Sequence, residues 1–429
     1  MPNPAGNNQW GEKNYPPDDD LREALLKCVK LKYSRKEKLA FLESELNLKI
    51  GETKLRDIED RLEIPTIRKP RLPKQIIREA ASDMIKKDLT RSNGPNAFKS
   101  MLQDEYVMIP RDDVRELMHT IAPEGFEERR PGAPRKEIPR VGLVSLGPFH
   151  EISADGHEKL NSQALQMGDI SLPIYAYRDK WSGYILKIIV IPDARKAAPL
   201  AHVYLDLVRE YSGIPIQLTT DKGSERVWQH AIQDTLRRFA APNISRNVYP
   251  TAVALKSVHN TVIESLWRWV HRKTGKNLKD VIAQGQIQHI FQPHQGFHSY
   301  LFYWIFVPLI EDALDKFKTY WNHHRVRIQH DKHNPSGHVP ADAFQFPKKH
   351  NPNAINCFIR VPEDVQAKIR QIIEDDPEVG PRDQYFLWYP EQFRLIAESV
   401  YSGLGKPKID MDSAWAVFKA MSPHIASRM

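Results

Sequence analysis

Cysteine is nearly absent. Cys28 and Cys357 are the only two in 429 residues, far apart and in unrelated contexts, which rules out a disulfide framework and a cysteine-based zinc site. Seventeen histidines cannot replace that logic by number alone. No window approaches the roughly 18 to 20 unbroken apolar residues of a membrane span, and the polar opening MPNPAGNNQWGEKNYPPDDD lacks the apolar stretch of a secretory signal. The expectation is a soluble, intracellular protein with no membrane partner.

What is present is enough apolar material, 41% of the chain, to bury more than one core, and the length calls for about two to four domains. The net charge is +8, which suggests a polyanionic partner. Its distribution says more. Residues 351–429 hold nine Lys/Arg against eleven Asp/Glu, so the first 350 residues carry +10, and a nucleic acid would bind there.

Residues 1–20 have no hydrophobic period and read as a disordered N-terminus. Residues 21–64 read as helical, with a helix capped by Ser34, a turn through Leu48 to Gly51 and a second amphipathic helix to Leu62. That is helix-turn-helix spacing, and an ordinary pair of antiparallel helices fits it equally. Residues 65–74 are a basic, proline-interrupted linker suited to a phosphate backbone or a nuclear import signal. Residues 75–123 form a second helical unit, with helices around Gly94-Pro95 and from Arg111, and 124–145 form a second basic linker.

Beyond Leu146 the pattern becomes β-rich. FHEISAD, SLPIYAYRD and SGYILKIIVIPD read as three sequential strands, the last two joined by a tight turn at Lys180 to Gly183. A helix, the strand IPIQLTTD, the helix SERVWQHAIQDTLRRFA, a weaker strand NISRNVY and the helix HNTVIESLWRWVHRK follow. The order β-β-β-α-β-α-β-α describes a mixed α/β sheet over residues 146–275. A helical extension spans 276–348. The helical C-terminal tail, 349–429, has an aromatic cluster QYFLWYPEQF that suggests protein contact.

Asp155 ends the first strand beside Gly156, and Asp221 ends the fourth beside Lys222-Gly223, which is where α/β sheets build sites. Glu264 lies on the last helix, off an apolar stripe of Val262, Ile263, Leu266, Trp269 and Val270, on a face with Asn260, Trp267, Arg268 and His271. An isolated Asp after a strand is usually a turn former. Three acids at these places in this order point instead to hard cations, which need several anionic oxygens. Asp179 and Asp193 also end strands, but a hairpin and a helix start explain them. Trp267 reads as packing beneath the helix.

HEISADGHEKL, LTTDKGSE and SVHNTVIESLWRWV resemble the three metal-site motifs of the eukaryotic integrase-core proteins related to retroviral integrases and insertion-sequence transposases. The resemblance continues through FYWIFVPLIEDALDKFKTYWNHHRVR (Phe302 to Arg327), with its Trp-Asn-x-His-x-x-Arg stretch, and back into MIPRDDVRELMHTIAPEGFEERR, covering residues 75–345. It implies an RNase H-like fold and a D, D, E triad on Asp155, Asp221 and Glu264. Forty-two residues separate Asp221 from Glu264, longer than is usual in the superfamily, and a loop around Ala240 to Ala254 would absorb the excess. The histidines do not reproduce those integrases' zinc module of two His and two Cys.

The resemblance implies a DNA integrase or transposase that cleaves and joins strands with two Mg²⁺ (or Mn²⁺) ions per site. Lys159, Lys222, Lys256, Asn260, Arg268 and Lys273 adjoin the triad in sequence and would contact phosphates. Double-stranded DNA, as element ends and target, is the implied partner. A homodimer or tetramer and a nuclear location, if the source is eukaryotic, are expected by analogy. The alternative is a domesticated, inactive DNA-binding or scaffold protein that keeps the fold.

Overall fold

The structure is a computed structural model, and it describes residues 15–88, 93–123, 145–157, 167–255, 260–329 and 334–429. The linker 124–145 lies outside these apart from Ser145, as does most of the stretch read as a disordered N-terminus. Two compact units emerge, Met1–Pro134 and Arg135–Met429.

In the first unit, three acidic residues open α1 (Asp18–Lys30), where they suit the positive end of the helix dipole. The helix therefore starts inside the stretch read as disordered. Ser34 and Glu37 then cap α2 (Arg35–Leu46) reciprocally: the Glu37 amide donates to Ser34 Oγ and the Ser34 amide to Glu37 Oε2, satisfying two otherwise orphaned donors. Asn47 takes the left-handed conformation that ends the helix, and α3 (Glu52–Arg61) begins after Gly51. Leu21, Leu25, Leu42, Leu55 and Ile58 close the core of this trio. A second trio, α4 (Lys74–Lys86), α5 (Pro95–Asp104) and α6 (Arg111–Ile121), packs around Ile77, Phe98, Leu102 and Val114. Lys32 pairs with Asp104 at 3.0 Å, and Gln103 donates to the Val29 carbonyl, joining the trios. Two charges of the basic linker, Lys69 and Arg71, pair with Asp60 of α3.

In the second unit the chain forms β1 (Glu151–His157), β2 (Ile174–Asp179) and β3 (Ile185–Val190) as an antiparallel meander. There follow α7 (Ala197–Tyr211), the short β4 (Gly213–Ile214), β5 (Gln217–Asp221), α8 (Val227–Ala240), β6 (Ala252–Leu255) and α9 (Thr261–Val270). The five-stranded order is β3-β2-β1-β5-β6, with β5 and β6 added parallel to β1. This is the mixed α/β sheet that the element order described. Because strand side chains alternate, Ile152 and Ala154 enter the core under α7 and α8, while Glu151, Ser153 and Asp155 face the other way.

One strand moves. NISRNVY is not a strand but a series of turns, with Ile244 and Tyr249 amides returning to the Ala241 and Ser245 carbonyls. Its Asn and Ser side chains favour such local bonding. β6 forms from AVAL after Pro250, whose small side chains carry little strand propensity but whose backbone pairs with Leu218 to Asp221.

The remaining elements are α10 (Lys276–Ile287), the long α11 (Gly296–His323), α12 (Pro340–Gln345), α13 (Pro347–His350), β7 (Ile359–Arg360), α14 (Glu363–Glu374), α15 (Glu391–Gly403) and α16 (Ala414–Ala426). A five-residue π-helix, His271–Gly275, links α9 to α10. The C-terminal region is helical as expected, and it is laced into the core. β7 pairs antiparallel with β4, Asp206 of α7 accepts from Arg370 and Arg382 at 2.8 Å each, and the Trp415 indole donates to the Val281 carbonyl. The aromatic stretch finds its contacts within this unit: Tyr385 lies against His202, Trp388 against Tyr303 and Phe393 against Tyr300. No helix among the described residues is long and apolar enough to cross a membrane.

Gly285 sits face-on to the Trp415 ring, where a Cβ would stand 2.1 Å from the nearest ring atom. Gly285→Ala is therefore expected to destabilise the second unit by about 1–3 kcal/mol through overpacking, against the gain of roughly 0.5–1 kcal/mol that Ala brings to an unobstructed helix. Thermal unfolding checks it: a melting temperature that rises would show that α16 is not seated on Gly285.

Candidate active site

Two of the three acids are brought together by strand pairing alone. β1 and β5 run parallel with Ser153 beside Thr219, so the same register two residues on sets Asp155 beside Asp221, the last residue of β5. Asp155 is not the end of its strand, since β1 continues to His157. Cross-strand pairing also fixes the face: Ser153 stands opposite Arg178, and Asp155 opposite Ala176. Asp179 points to the other face, where it accepts from the amides of Phe149 and Ser182 and from Ser182 Oγ, the turn-forming job expected of it.

The third acid comes from α9, which crosses the polar face of the sheet. Asn260, at the head of this helix, donates its amide to Asp221 Oδ1 at 3.1 Å and to the Ala154 carbonyl at 3.3 Å. Trp267 donates its indole N–H to Asp155 Oδ2 at 2.9 Å, while the Gly156 amide donates to Oδ1. Glu264 lies between them, one helical turn from each, with an exposed side chain. Its charge and that of Asp221 both act on Asp155.

The electrostatics follow from this crowding. Burial, with the like charges of Asp221 and Glu264, pushes the Asp155 carboxyl up to about 7, against the pull of the neutral donors Trp267 and Gly156. Beneath the acids the same face stays polar. Glu151 pairs with Lys180 at 2.7 Å and accepts from Thr219 Oγ1 at 3.0 Å, and Ser153 Oγ is buried without a hydrogen-bond partner.

The residues read as phosphate contacts divide. Lys222 and Arg268 are exposed, and Lys273 is half-buried with its ammonium 5.9 Å from both the Trp269 and Tyr320 rings. Asn260 is 2% exposed and spends its amide on Asp221, so its place is inside the site, not on a phosphate. Lys159 and Lys256 lie outside the described residues. The tryptophans of α9 exchange roles. Trp267 belongs to the buried stripe and Trp269 is exposed, because Trp267 sits where its N–H reaches a carboxylate. The spacing that set Asn260, Glu264 and Trp267 on one helical face, at i, i+4 and i+7, is the one the structure uses.

Arg178 went unread. Its guanidinium donates to the Gly183 and Val262 carbonyls and to Ser265 Oγ, and it stacks 4.8 Å from the centre of the Trp321 ring. It thereby ties α9 to the β2–β3 hairpin and α11.

Among the described residues, no three His, Cys, Asp or Glu side chains are arranged to hold a metal ion as they stand. The donor chemistry nonetheless fits a hard divalent cation. The acids are all oxygen donors, they repel one another at Asp155, and the Asn260 Oδ1 beside them is buried without a hydrogen-bond partner. A cation would offset both the burial of the Asp155 charge and its repulsion by Asp221 and Glu264.

Residues 174–339 match the family model of an integrase core domain. Asp221 and Glu264 fall within the match, and Asp155 on the preceding strand falls outside it. Similar solved structures include the simian T-cell lymphotropic virus intasome in complex with PP2A regulatory subunit B56 gamma, at 11% identity over 62% of this chain and 75% of that one, TM-score 0.29. The Mos1 transposase paired-end complex with left transposon end is matched at 10% identity over 63% of this chain and 94% of that one, TM-score 0.16. No curated protein matches the chain.

The raised carboxyl has a thermodynamic consequence. A group whose folded-state pKa lies above its unfolded value favours the fold at low pH and withdraws that support as pH rises through about 7. In metal-free buffer, the loss of stability between pH 5 and pH 8 should be smaller in Asp155→Asn than in the wild type by about 1 kcal/mol or more. Chemical denaturation at the two pH values measures it, and parallel pH profiles would mean that Asp155 is not raised in the folded protein.

Proposed function

Since residues 174–339 carry an integrase core domain, we propose that this chain is a metal-dependent polynucleotidyl transferase that cleaves DNA strands and joins them to a target. The observation that carries this reading is that carboxylates from β1, β5 and α9 act on one another: the buried Asp155, raised chiefly by its burial, also feels the charges of Asp221 and Glu264. Asp155, Asp221 and Glu264 would hold two Mg²⁺ or Mn²⁺ ions. Bound there, the ions supply Lewis-acid stabilisation of the phosphodiester and of its attacking and leaving oxygens.

The protein's own residues supply the arrangement. Asn260 orients Asp221 and Trp267 orients Asp155, so each aspartate keeps a defined set of lone pairs toward the site. Lys222 and Arg268, exposed beside the acids, would neutralise phosphates flanking the reacting one, and Lys273, Lys159 and Lys256 would extend that contact. In this reading the helical first unit, with α2 and α3 at helix-turn-helix spacing, reads element ends. Two or more copies bring two DNA ends together, and the chain works in the nucleus if its source is eukaryotic.

The test is Mg²⁺- or Mn²⁺-dependent nicking and strand transfer by the purified protein on duplexes bearing its element's end sequences. Turnover should disappear in Asp155→Asn, Asp221→Asn and Glu264→Gln. Undiminished activity in any of the three would overturn the site. Salt-sensitive DNA binding without turnover in the wild type would establish the alternative, a domesticated scaffold that keeps the fold.

A further inference from the structure

The indole of Trp267 does more than fill space under α9. It is 4% exposed, and its ring stacks on His157 with centroids 4.7 Å apart and planes 12° from parallel. Its N–H reaches Asp155 Oδ2 at 2.9 Å. Asp155 and His157 are alternate residues of β1 and share its face, so one ring grips the strand at two successive points. Trp267 also stands one turn beyond Glu264 on the same helix.

We propose that Trp267 is a positioning residue that sets the Asp155 carboxylate for metal binding and locks it to the helix that presents Glu264. The assignment rests on reading Asp155, Asp221 and Glu264 as metal ligands. Three physical features carry it. Indole is a donor only, so it can hold a carboxylate oxygen but neither accept a bond nor ligate a cation itself. The stack on His157 fixes the ring plane, and with it the direction of the N–H. Trp267 and Glu264 stand one turn apart on α9, so one helix places both the donor that holds the Asp155 oxygen and the Glu264 carboxylate. A phenylalanine would keep an aromatic ring facing His157 and lose the directed bond, at the cost of some buried volume.

The experiment measures Mn²⁺ binding without DNA, by the loss of the free-ion electron paramagnetic resonance signal, in the full-length wild type, Trp267→Phe and Asp155→Asn. Melting temperatures in chelator are measured alongside. Trp267→Phe should weaken Mn²⁺ binding by about 10–100-fold, the usual cost of removing a group that orients a metal ligand, in a protein that stays folded at the assay temperature although the smaller ring lowers its melting temperature. Asp155→Asn should remove the binding altogether. Wild-type affinity in folded Trp267→Phe would overturn the positioning role while leaving the metal site in place, and so would a lowered melting temperature with affinity unchanged. No Mn²⁺ binding by the wild type would overturn the metal site and this role with it. Should Trp267→Phe fail to fold, β-(benzothien-3-yl)alanine installed at position 267 alone keeps the ring shape without the N–H. Unaltered Mn²⁺ affinity in that protein would equally overturn the proposal.

Discussion

Burial, with the added charges of Asp221 and Glu264, lifts Asp155 out of the ordinary carboxylate range, and the scaffold has to oppose both, because nothing in three like-charged side chains favours their meeting. The opposition is built from neutral donors and rigid attachments. Strand register places the two aspartates, and Asn260 and Trp267 restrain them from opposite ends of α9. α9 is restrained in turn: Arg178 grips it at Val262 and Ser265 and rests on Trp321. Next to Trp321, Asn322 bonds both the amide and the carbonyl of Ile185 at the start of β3. The Trp-Asn pair of the Trp-Asn-x-His-x-x-Arg stretch, remote from the acids along the chain, thus belongs to the frame that steadies them.

The two faces of the central sheet divide the work. On the face with Ile152 and Ala154, Tyr177 and Tyr175 share Gln229 through hydrogen bonds at 2.6 and 3.0 Å, and Tyr204 bonds Gln233, so buried polar atoms are satisfied within an otherwise apolar core. On the other face Glu151, Lys180 and Thr219 form a polar floor under the acids. A carboxylate cluster placed on the first face would be closed off from solvent among largely apolar side chains. The second offers it hydrogen-bonding groups and an opening to solvent at Glu264.

Much of this was legible in the sequence where local chemistry decides the outcome. Ser34 and Glu37 announced their cap, the Lys180 to Gly183 turn joined its two strands, and Asp155 and Asp221 stood beside glycine on strands whose order implied the sheet. What stayed hidden depended on partners distant in the chain. Helical period alone leaves Trp267 and Trp269 near opposite edges of the same stripe, and only the Asp155 acceptor decides which is buried. Asn260 looked like a surface amide until Asp221 was beside it. AVAL gave little sign of a strand, because parallel pairing with β5 and not its own propensity makes it one. The stretch QYFLWYPEQF did signal contact, but the partner is α11 and α7 of the same chain.

The pairing of β4 with β7 bears on how the chain reaches this structure. Gly213 and Arg360 meet across a long stretch of intervening sequence, and the Val361 amide closes the junction on the Ser212 carbonyl. Contacts so far apart in sequence impose a large loop-closure cost before they contribute, which slows folding. During synthesis, the edge that β7 covers stays open until the chain beyond Arg360 has emerged. A fragment cut at the end of the integrase core match would carry the three acids yet lack the strand that pairs with β4 and the arginines that neutralise Asp206. The natural folding unit is therefore longer than the domain its motifs delimit.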